Sequence, residues 1–297
     1  MATIRTEALT KFYGPVRGVV DLDLEVRAGE VFGFIGPNGA GKTTTIRLLL
    51  DLLRPTRGRV EVLGRDPRRD GLALRRDLGY LPGDLALYDD LTAGDHLAWF
   101  SHLRGGAGGD RIGPLAERFD LRLDRRIRDL SSGNRRKVGV LQAFVHEPQL
   151  VILDEPTSGL DPLLRQELHR LLRETRAEGR TVFLSSHALD EVEAVADRVG
   201  IIRDGRLVVV DDVRALRSRA VRRVEILFAA PVPPERFAEL PGVSEVEIDG
   251  ALGRFLVDGS VDALVKAAAG FEVVTLTSRE PDLEEIFLAY YSEGPGG

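Results

Sequence analysis

The chain has 297 residues, 43% hydrophobic and 30% charged, a composition typical of soluble globular proteins and unlike collagen-like or disordered chains. It contains no cysteine, which excludes disulfides, thiolate zinc sites and cysteine nucleophiles. The formal net charge of −6 argues against a protein whose main role is to neutralise nucleic-acid phosphates.

The N-terminal part of the chain is rich in predicted strands. Residues 4–12 and 19–26 are predicted strands, and strict alternation of polar and apolar residues over 21–26 indicates a half-buried sheet face. The short apolar run 31–35 leads into a glycine-rich loop, and residues 43–53 then show helical spacing. The sequence therefore predicts a strand, a loop and a helix in succession.

Strands and helices alternate further along the chain. The predicted strands lie at 58–63, 78–81, 151–153 and 181–184, and the predicted helices at 162–178 and 188–198. The apolar runs at 151–153 and 181–184 do not alternate, as expected for strands covered on both faces. This pattern predicts an α/β fold with a parallel sheet core and an antiparallel β layer.

Two further regions depart from this alternation of strands and helices. Residues 84–130 predict a helical insertion that includes a helix at 93–103 and the flexible glycine-rich stretch 105–109. We expect the main domain to cover residues 1–220 and a small α+β accessory domain to cover residues 221–297.

The accessory domain is predicted to be ferredoxin-like, because its elements follow a βαββαβ order. These are strands at 224–228, 243–248, 254–257 and 271–277, helices at 235–240 and 261–269, and a last helix at 282–290.

The strongest chemical signal is a phosphate-binding loop between an apolar strand and a helix. It consists of Gly36, Pro37, Asn38, Gly39, Ala40, Gly41, Lys42 and Thr43, followed by Thr44. Its glycines let successive backbone N–H groups and the helix start face one anion. Lys42 is placed to reach the β- and γ-phosphates and the Thr43 hydroxyl to bind Mg²⁺, so the pattern predicts nucleoside triphosphate binding.

Two adjacent carboxylates, Asp154 and Glu155, follow the apolar run 151–153. Ligands of parallel sheets bind at this edge, where the strands end. We expect Asp154 to hold Mg²⁺ and Glu155 to polarise the attacking water. The alternative interpretation is a solvated acidic turn.

Five segments in this order and spacing resemble the motifs of the ATP-binding cassette (ABC) family, over about residues 3–213. They lie at 36–44, 130–134, 153–156, 158–161 and 185–187. A phosphate loop alone leaves kinases, GTPases and helicases open. The sequence Leu-Ser-Ser-Gly-Asn at 130–134 is similar to the signature of the ABC family and narrows the choice.

The resemblance implies a head-to-tail homodimer in which ATP lies between the phosphate loop of one chain and the signature of the other. Ser131, Ser132, Gly133 and Asn134 would then contact the nucleotide of the partner chain. Taken alone, Ser131 or Ser132 is equally well an ordinary helix N-cap. A hydroxyl and a glycine N–H at a helix start nevertheless form a second end that can bind an anion.

The resemblance also implies roles for three other residues. His187 would act with Glu155 in hydrolysis and detect the γ-phosphate, Asp161 would couple the two half-sites, and Tyr13 would stack on adenine. On the residues alone, a histidine after an apolar strand, such as His187, is more often structural. For Tyr13, the alternative interpretation is an ordinary tyrosine at a strand end.

The chain departs from the family pattern at two positions. A glutamine usual in the family is replaced by Gly83 followed by Asp84, so either Asp84 substitutes for it or the loop acts through its backbone. The signature ends in Asn134 instead of glutamine, which shortens the amide side chain by one methylene.

The resemblance implies the ATPase subunit of a two-component bacterial exporter of the drug and antibiotic resistance type. The segments that indicate this type lie at 80–84, 131–137 and 283–287. No apolar run is long enough to span a membrane and no secretion signal begins the chain. We therefore expect a separate membrane permease as partner, a location at the cytoplasmic face of the membrane, and no nucleic acid.

Three alternatives to a drug exporter stay open. The exporter could carry lipids, polysaccharides or sodium instead. The chain could also be a soluble ABC ATPase acting on nucleic acid or ribosomes, or an orphan regulatory ATPase or kinase.

Overall fold

The computed structural model describes residues 2–219 and 222–279. The chain divides into two compact units, Met1–Val210 and Asp211–Gly297. Within the described ranges, no helix has both the length and the apolar character needed to cross a membrane. The helix predicted at 282–290, and with it the segment 283–287, lies outside the described residues.

The first unit is built on two sheets. Its strands are β1 (Ala2–Tyr13), β2 (Val16–Arg27), β3 (Val31–Ile35), β4 (Arg57–Val62), β5 (Leu78–Leu81), β6 (Leu150–Asp154), β7 (Thr181–Ser186), β8 (Arg198–Arg203) and β9 (Arg206–Asp212), the last of which runs into the second unit. The smaller sheet has the order β2-β1-β4 and is antiparallel. The larger has the order β5-β6-β7-β3-β8-β9, and the pairs from β5 to β8 are parallel.

Burial explains why the two sheets differ in sequence pattern. Every residue of β3, β6 and β7 is buried, so these central strands are continuous runs without alternation. In β2, by contrast, Leu22, Leu24 and Val26 are buried and alternate with exposed residues. The structure confirms the predicted α/β fold with a parallel core and an antiparallel layer.

Seven α-helices of the first unit accompany the sheets in the described residues. They are α1 (Lys42–Leu49), α2 (Gly71–Arg76), α3 (Ala93–Leu103), α4 (Ile112–Arg118), α5 (Ser132–Phe144), α6 (Pro162–Ala177) and α7 (Leu189–Glu193). Helices α3 and α4 lie within the region 84–130, where the sequence predicts a helical insertion. Thr92 caps α3 by accepting a hydrogen bond from the Asp95 N–H.

The prediction of a helix over residues 188–198 is wrong for the second half of that range. Helix α7 ends at Glu193, and the chain enters β8 at Arg198. Val192, Val195 and Val199 are all buried, and their spacing of three and four residues imitates one helical face. Val199, however, belongs to β8 and pairs with Gly33 of β3. The helix predicted at 43–53 is also too long, because α1 ends at Leu49.

The second unit contains α8 (Val213–Arg219), β10 (Arg222–Phe228), β11 (Val243–Asp249), β12 (Leu252–Val257), α9 (Asp262–Ala268) and β13 (Val273–Arg279). Its sheet has the order β11-β12-β10-β13, and all three pairs are antiparallel. Phe228, Phe237 and Phe255 are buried in its core.

The α-helix predicted at 235–240 is wrong. A single 3-10 turn, Pro234–Arg236, stands there. Pro241 keeps Leu240 out of helical backbone angles, and residues 237–239 form a turn.

Candidate active site

The phosphate loop connects the end of β3 to the start of α1. Gly41, the residue before the helix, has φ of 111°, and a Cβ there would lie 2.8 Å from the Gly18 carbonyl oxygen. Only glycine fits this combination of left-handed backbone and close approach. The loop therefore brings the first N–H groups of α1 to the carboxyl edge of the sheet.

Lys42, the first residue of α1, is 5% exposed. Its ammonium group donates to the carbonyl oxygens of Gly36 at 2.6 Å and Pro37 at 3.3 Å. The same Nζ lies 3.3 Å from Oε1 of Glu155. The positive charge is thus held under the loop, between loop carbonyls and a carboxylate.

Asp154 ends β6 and is 1% exposed. Its Oδ2 accepts a hydrogen bond from the Thr43 hydroxyl at 2.8 Å, and its Oδ1 accepts one from the Ser185 hydroxyl at 2.5 Å. The register of the sheet accounts for the second bond, because Asp154 of β6 is paired with Ser185 of β7. The buried carboxylate is oriented through both of its oxygens.

Glu155 is the next residue, and its backbone turns into the left-handed region with φ of 50°. The turn separates the two carboxylates, so that Glu155 contacts other groups than Asp154 does. Its Oε1 lies 3.3 Å from Lys42 Nζ, and its Oε2 lies 2.7 Å from Nδ1 of His187. An ionised carboxylate only accepts hydrogen bonds, so Nδ1 of His187 is the donor.

The structure therefore brings together five residues that the sequence predicts for one site: Lys42, Thr43, Asp154, Glu155 and His187. The Thr43 hydroxyl and the Asp154 carboxylate provide hard oxygen ligands of the kind that Mg²⁺ prefers. No group of three or more His, Asp or Glu residues suited to a metal occurs among the described residues. A Mg²⁺ ion at this point would therefore take two oxygens from the protein, and its remaining ligands would be phosphate or water oxygens.

Tyr13 lies at the end of β1, on the rim of the phosphate loop. The residue is 42% exposed, and its hydroxyl is 3.4 Å from the Thr44 hydroxyl. Lys11 Nζ lies 5.5 Å from the centre of the ring, within cation–π range. An exposed aromatic ring thus stands next to the loop.

The predicted signature residues stand apart from the phosphate loop of their own chain. Ser131 caps α5, where its hydroxyl accepts from the Asn134 N–H at 3.3 Å, and both Ser131 and Ser132 are exposed. A Cβ on Gly133 would lie 2.9 Å from the Gly159 carbonyl oxygen, so the signature touches the segment before α6.

Asp161 is exposed and caps α6 by accepting from the Leu164 N–H at 3.0 Å. In residues 2–219, no hydrogen bond or ion pair joins the signature or Asp161 to the phosphate loop.

The loop after β5 contains the two residues that depart from the family pattern. A Cβ on Gly83 would lie 3.3 Å from Asp154 Oδ2, so the Gly83 backbone is adjacent to the buried carboxylate. Asp84 is exposed, and within the described residues no hydrogen bond or ion pair links it to the acidic pair. Burial, followed by the charge of Asp154, raises the pKa of Tyr80 to about 12. Tyr80 is therefore a neutral phenol at the base of this loop.

Two residues that contact the acidic pair are not among those predicted from the sequence. Ser185 holds Asp154, and the signal for it was a hydroxyl at the end of a neighbouring parallel strand, at the same sheet edge. Arg136 of α5 donates to the backbone carbonyls of both Asp154 and Glu155. Burial lowers the pKa of Arg136, while the charges of the two carboxylates raise it.

Comparison with known proteins gives consistent matches. Residues 19–158 match the family described as ABC transporter. The bacitracin transport ATP-binding protein BcrA of Bacillus licheniformis is 33% identical over 303 residues, with 99% of each chain covered. The daunorubicin resistance ATP-binding protein DrrA3 of Streptomyces coeruleorubidus is 36% identical over 300 residues, which cover 96% of this chain and 94% of the relative.

A solved structure described as the ATP binding subunit of an ABC transporter superposes with a TM-score of 0.69 at 32% identity. The superposition covers 72% of this chain and 92% of the chain in the solved structure.

Proposed function

Because this chain belongs to the ABC transporter family of ATP-binding proteins, we propose that it hydrolyses ATP to drive a separate membrane permease that exports drugs or antibiotics. The observation that carries the proposal is the convergence of Lys42, Glu155 and His187 at the end of the parallel sheet. Relatives named for bacitracin transport and daunorubicin resistance support the kind of cargo. The net charge of −6 supports a partner other than nucleic acid.

We assign the hydrolytic roles from the contacts of each side chain. Lys42 and the loop N–H groups bind the β- and γ-phosphates. Glu155 accepts a proton from the water that attacks the γ-phosphorus, as the bond from that phosphorus to the bridging oxygen of ADP breaks. His187, whose Nδ1 donates to Glu155, orients that carboxylate and presents its other nitrogen to the transferred phosphate.

Mg²⁺ would be held by the Thr43 hydroxyl and the Asp154 carboxylate, and when bound it neutralises charge on the phosphates. Asp154 is itself kept in orientation by Ser185. Adenine would stack on the exposed ring of Tyr13 at the rim of the loop.

We propose that two copies of this chain enclose ATP head to tail. Ser131, Ser132, Gly133 and Asn134 would bind the γ-phosphate held by the other copy, through a hydroxyl and a helix start. Their separation from the phosphate loop of their own chain supports this assignment. Asp161 follows the segment that Gly133 touches, so the signature and Asp161 would face the partner together.

The permease would bind beside the loop after β5, at the cytoplasmic face of the membrane. A cavity of about 250 Å³ lies there, and Leu74, Tyr80, Pro82 and Leu85 are among the residues that line it. An apolar segment of the permease fits this lining, and the adjacent Gly83 backbone, next to Asp154, would relay its movement to the hydrolytic site.

Hydrolysis is tested with the purified chain, Mg²⁺ and ATP. We expect steady phosphate release from the wild type and at least about 100-fold slower release from Glu155→Gln, at an unchanged affinity for ATP. Glu61→Gln serves as the control, because Glu61 is an exposed carboxylate on β4. Normal hydrolysis by Glu155→Gln would remove Glu155 from the role of base.

The export role is tested by co-purification with a membrane protein whose gene neighbours that of this chain. We expect the two proteins to form a complex. Its ATPase rate should rise when a transported drug is added, and bacitracin and daunorubicin are the compounds to test. Failure to bind that membrane protein, or stimulation by nucleic acid instead, would contradict the export proposal.

A further inference from the structure

Arg136 makes more backbone contacts at the site than any other described side chain. It lies in the second turn of α5, and the residue is 5% exposed. Its guanidinium group donates to five backbone carbonyl oxygens: Pro82 at 2.8 Å, Gly83 at 3.2 Å, Asp154 at 2.7 Å, Pro156 at 3.3 Å, and Glu155.

These contacts use the full donor capacity of an arginine. A guanidinium has five N–H groups in a fixed planar fork. Nη1 donates to the carbonyls of Pro82 and Gly83, which follow β5. Nη2 donates to those of Asp154 and Glu155, and Nε donates to that of Pro156. One rigid group thus joins α5 to two separate loops, the loop after β5 and the loop after β6.

The loop after β6 contains a backbone conformation that needs support. Glu155 is not glycine, yet its φ is 50°, in the left-handed region that residues with a Cβ rarely adopt. Arg136 donates to the carbonyl of Glu155 itself and to the carbonyls of its two neighbours, Asp154 and Pro156. The Glu155 N–H is fixed separately by the Ser185 carbonyl at 3.1 Å.

We propose that Arg136 is a positioning residue for ATP hydrolysis: it fixes the turn at Glu155, and so aims the carboxylate between Lys42 and His187. The inference rests on the proposed function of the site. It also links that carboxylate to α5, the helix that Ser131 caps and that would touch the nucleotide of the partner chain. Movement of the signature would therefore change the orientation of Glu155 within the same chain.

The same helix offers a matched control. Lys137 is also buried, at 7% exposure, and its ammonium donates to the Asp120 carbonyl at 3.0 Å. Replacing either cation with methionine removes a buried charge that binds backbone carbonyls. Only Arg136 binds the loops that carry the acidic pair.

The experiment compares Arg136→Met, Arg136→Lys and Lys137→Met with the wild type. ATP affinity is measured by titration calorimetry with Mg²⁺, the turnover number by phosphate release, and thermal stability by calorimetry. We expect Arg136→Met to lower the turnover number about 100-fold, as a misplacement of about 1 Å does, with the ATP affinity within about 3-fold of the wild type.

Arg136→Lys should retain about a tenth of the wild-type turnover, because an ammonium is a compact point donor that cannot reach both loops. Lys137→Met should lose stability but stay within about 2-fold of the wild-type turnover.

Two results would overturn the inference: equal turnover in Arg136→Met and Lys137→Met, or a loss of ATP affinity in Arg136→Met as large as its loss of turnover. If Arg136→Met does not fold, Arg136→Lys decides, and wild-type turnover in that variant refutes the role. A wild type without ATPase activity would refute the proposed function and this role together. An active wild type with unaffected Arg136 variants would refute this role alone.

Discussion

The hydrogen bond from Ser185 to Asp154 allows a quantitative prediction. Ser185 is fully buried, and its hydroxyl donates to Asp154 Oδ1 at 2.5 Å. Ser185→Ala removes this donor and leaves one oxygen of a buried carboxylate without its partner. A hydrogen bond to a charged group contributes about 1.5–3 kcal/mol, so we expect the free energy of unfolding to fall by about 2 kcal/mol.

The neighbouring serine provides the control. Ser186 is 1% exposed, but its hydroxyl accepts from the neutral Ala188 N–H at 3.0 Å. Ser186→Ala should therefore cost about 1 kcal/mol. For a unit of this size the two losses correspond to drops in Tm of about 4–8 °C for Ser185→Ala and about 2–4 °C for Ser186→Ala.

Differential scanning calorimetry of the full chain measures both drops in Tm. Equal losses in the two variants, or a larger loss in Ser186→Ala, would refute the argument that the charge of Asp154 strengthens the Ser185 bond. Ser185→Ala should also raise the Mg²⁺ concentration needed for half-maximal ATPase activity, because Asp154 would no longer be fixed at Oδ1.

Three further predictions concern pH, nucleotide binding and packing. Burial, followed by the charge of Arg104, lowers the pKa of His146 from 6.5 to about 4, so the unfolded chain takes up this proton first as the pH falls. The free energy of unfolding in urea should therefore decline from pH 6.5 towards pH 4, and His146→Gln should flatten that slope; parallel slopes would contradict it. Lys42→Ala should weaken ATP binding at least about 10-fold in calorimetric titrations, because it removes charge-assisted hydrogen bonds to phosphate, and an unchanged affinity would count against the phosphate loop. Gly133→Ala should cost about 1–3 kcal/mol in thermal unfolding, because its Cβ would lie 2.9 Å from the Gly159 carbonyl oxygen, whereas Gly113→Ala, at an exposed position of α4 with no atom within 4 Å, should stabilise by about 0.5–1 kcal/mol.

Much of the site is predictable from the sequence because one physical rule places it. Parallel strands end at a common edge, so residues that follow 31–35, 151–153 and 181–184 must meet there. Lys42, Asp154, Glu155 and His187 do meet, at the distances given above. The ranges of β3, β5 and α3 agree with the predicted ones because each is a short apolar run or periodic segment with clear boundaries.

The contacts that the sequence does not predict are those that depend on register and on close approach of distant elements. Ser185 reaches Asp154 only because of the pairing between β6 and β7. Arg136 reaches five carbonyls only because α5 lies against two loops, 53 and 18 positions away in sequence at Gly83 and Asp154. The sequence of a helix does not distinguish a buried arginine from one exposed to solvent.

We propose that the γ-phosphate of ATP holds two copies of this chain together. The most direct measurement is sedimentation velocity of Glu155→Gln with Mg²⁺ and saturating ATP, compared with the same protein in ADP. We predict a dimer in ATP and a monomer in ADP. The same sedimentation coefficient in both nucleotides, at saturation, would contradict the account.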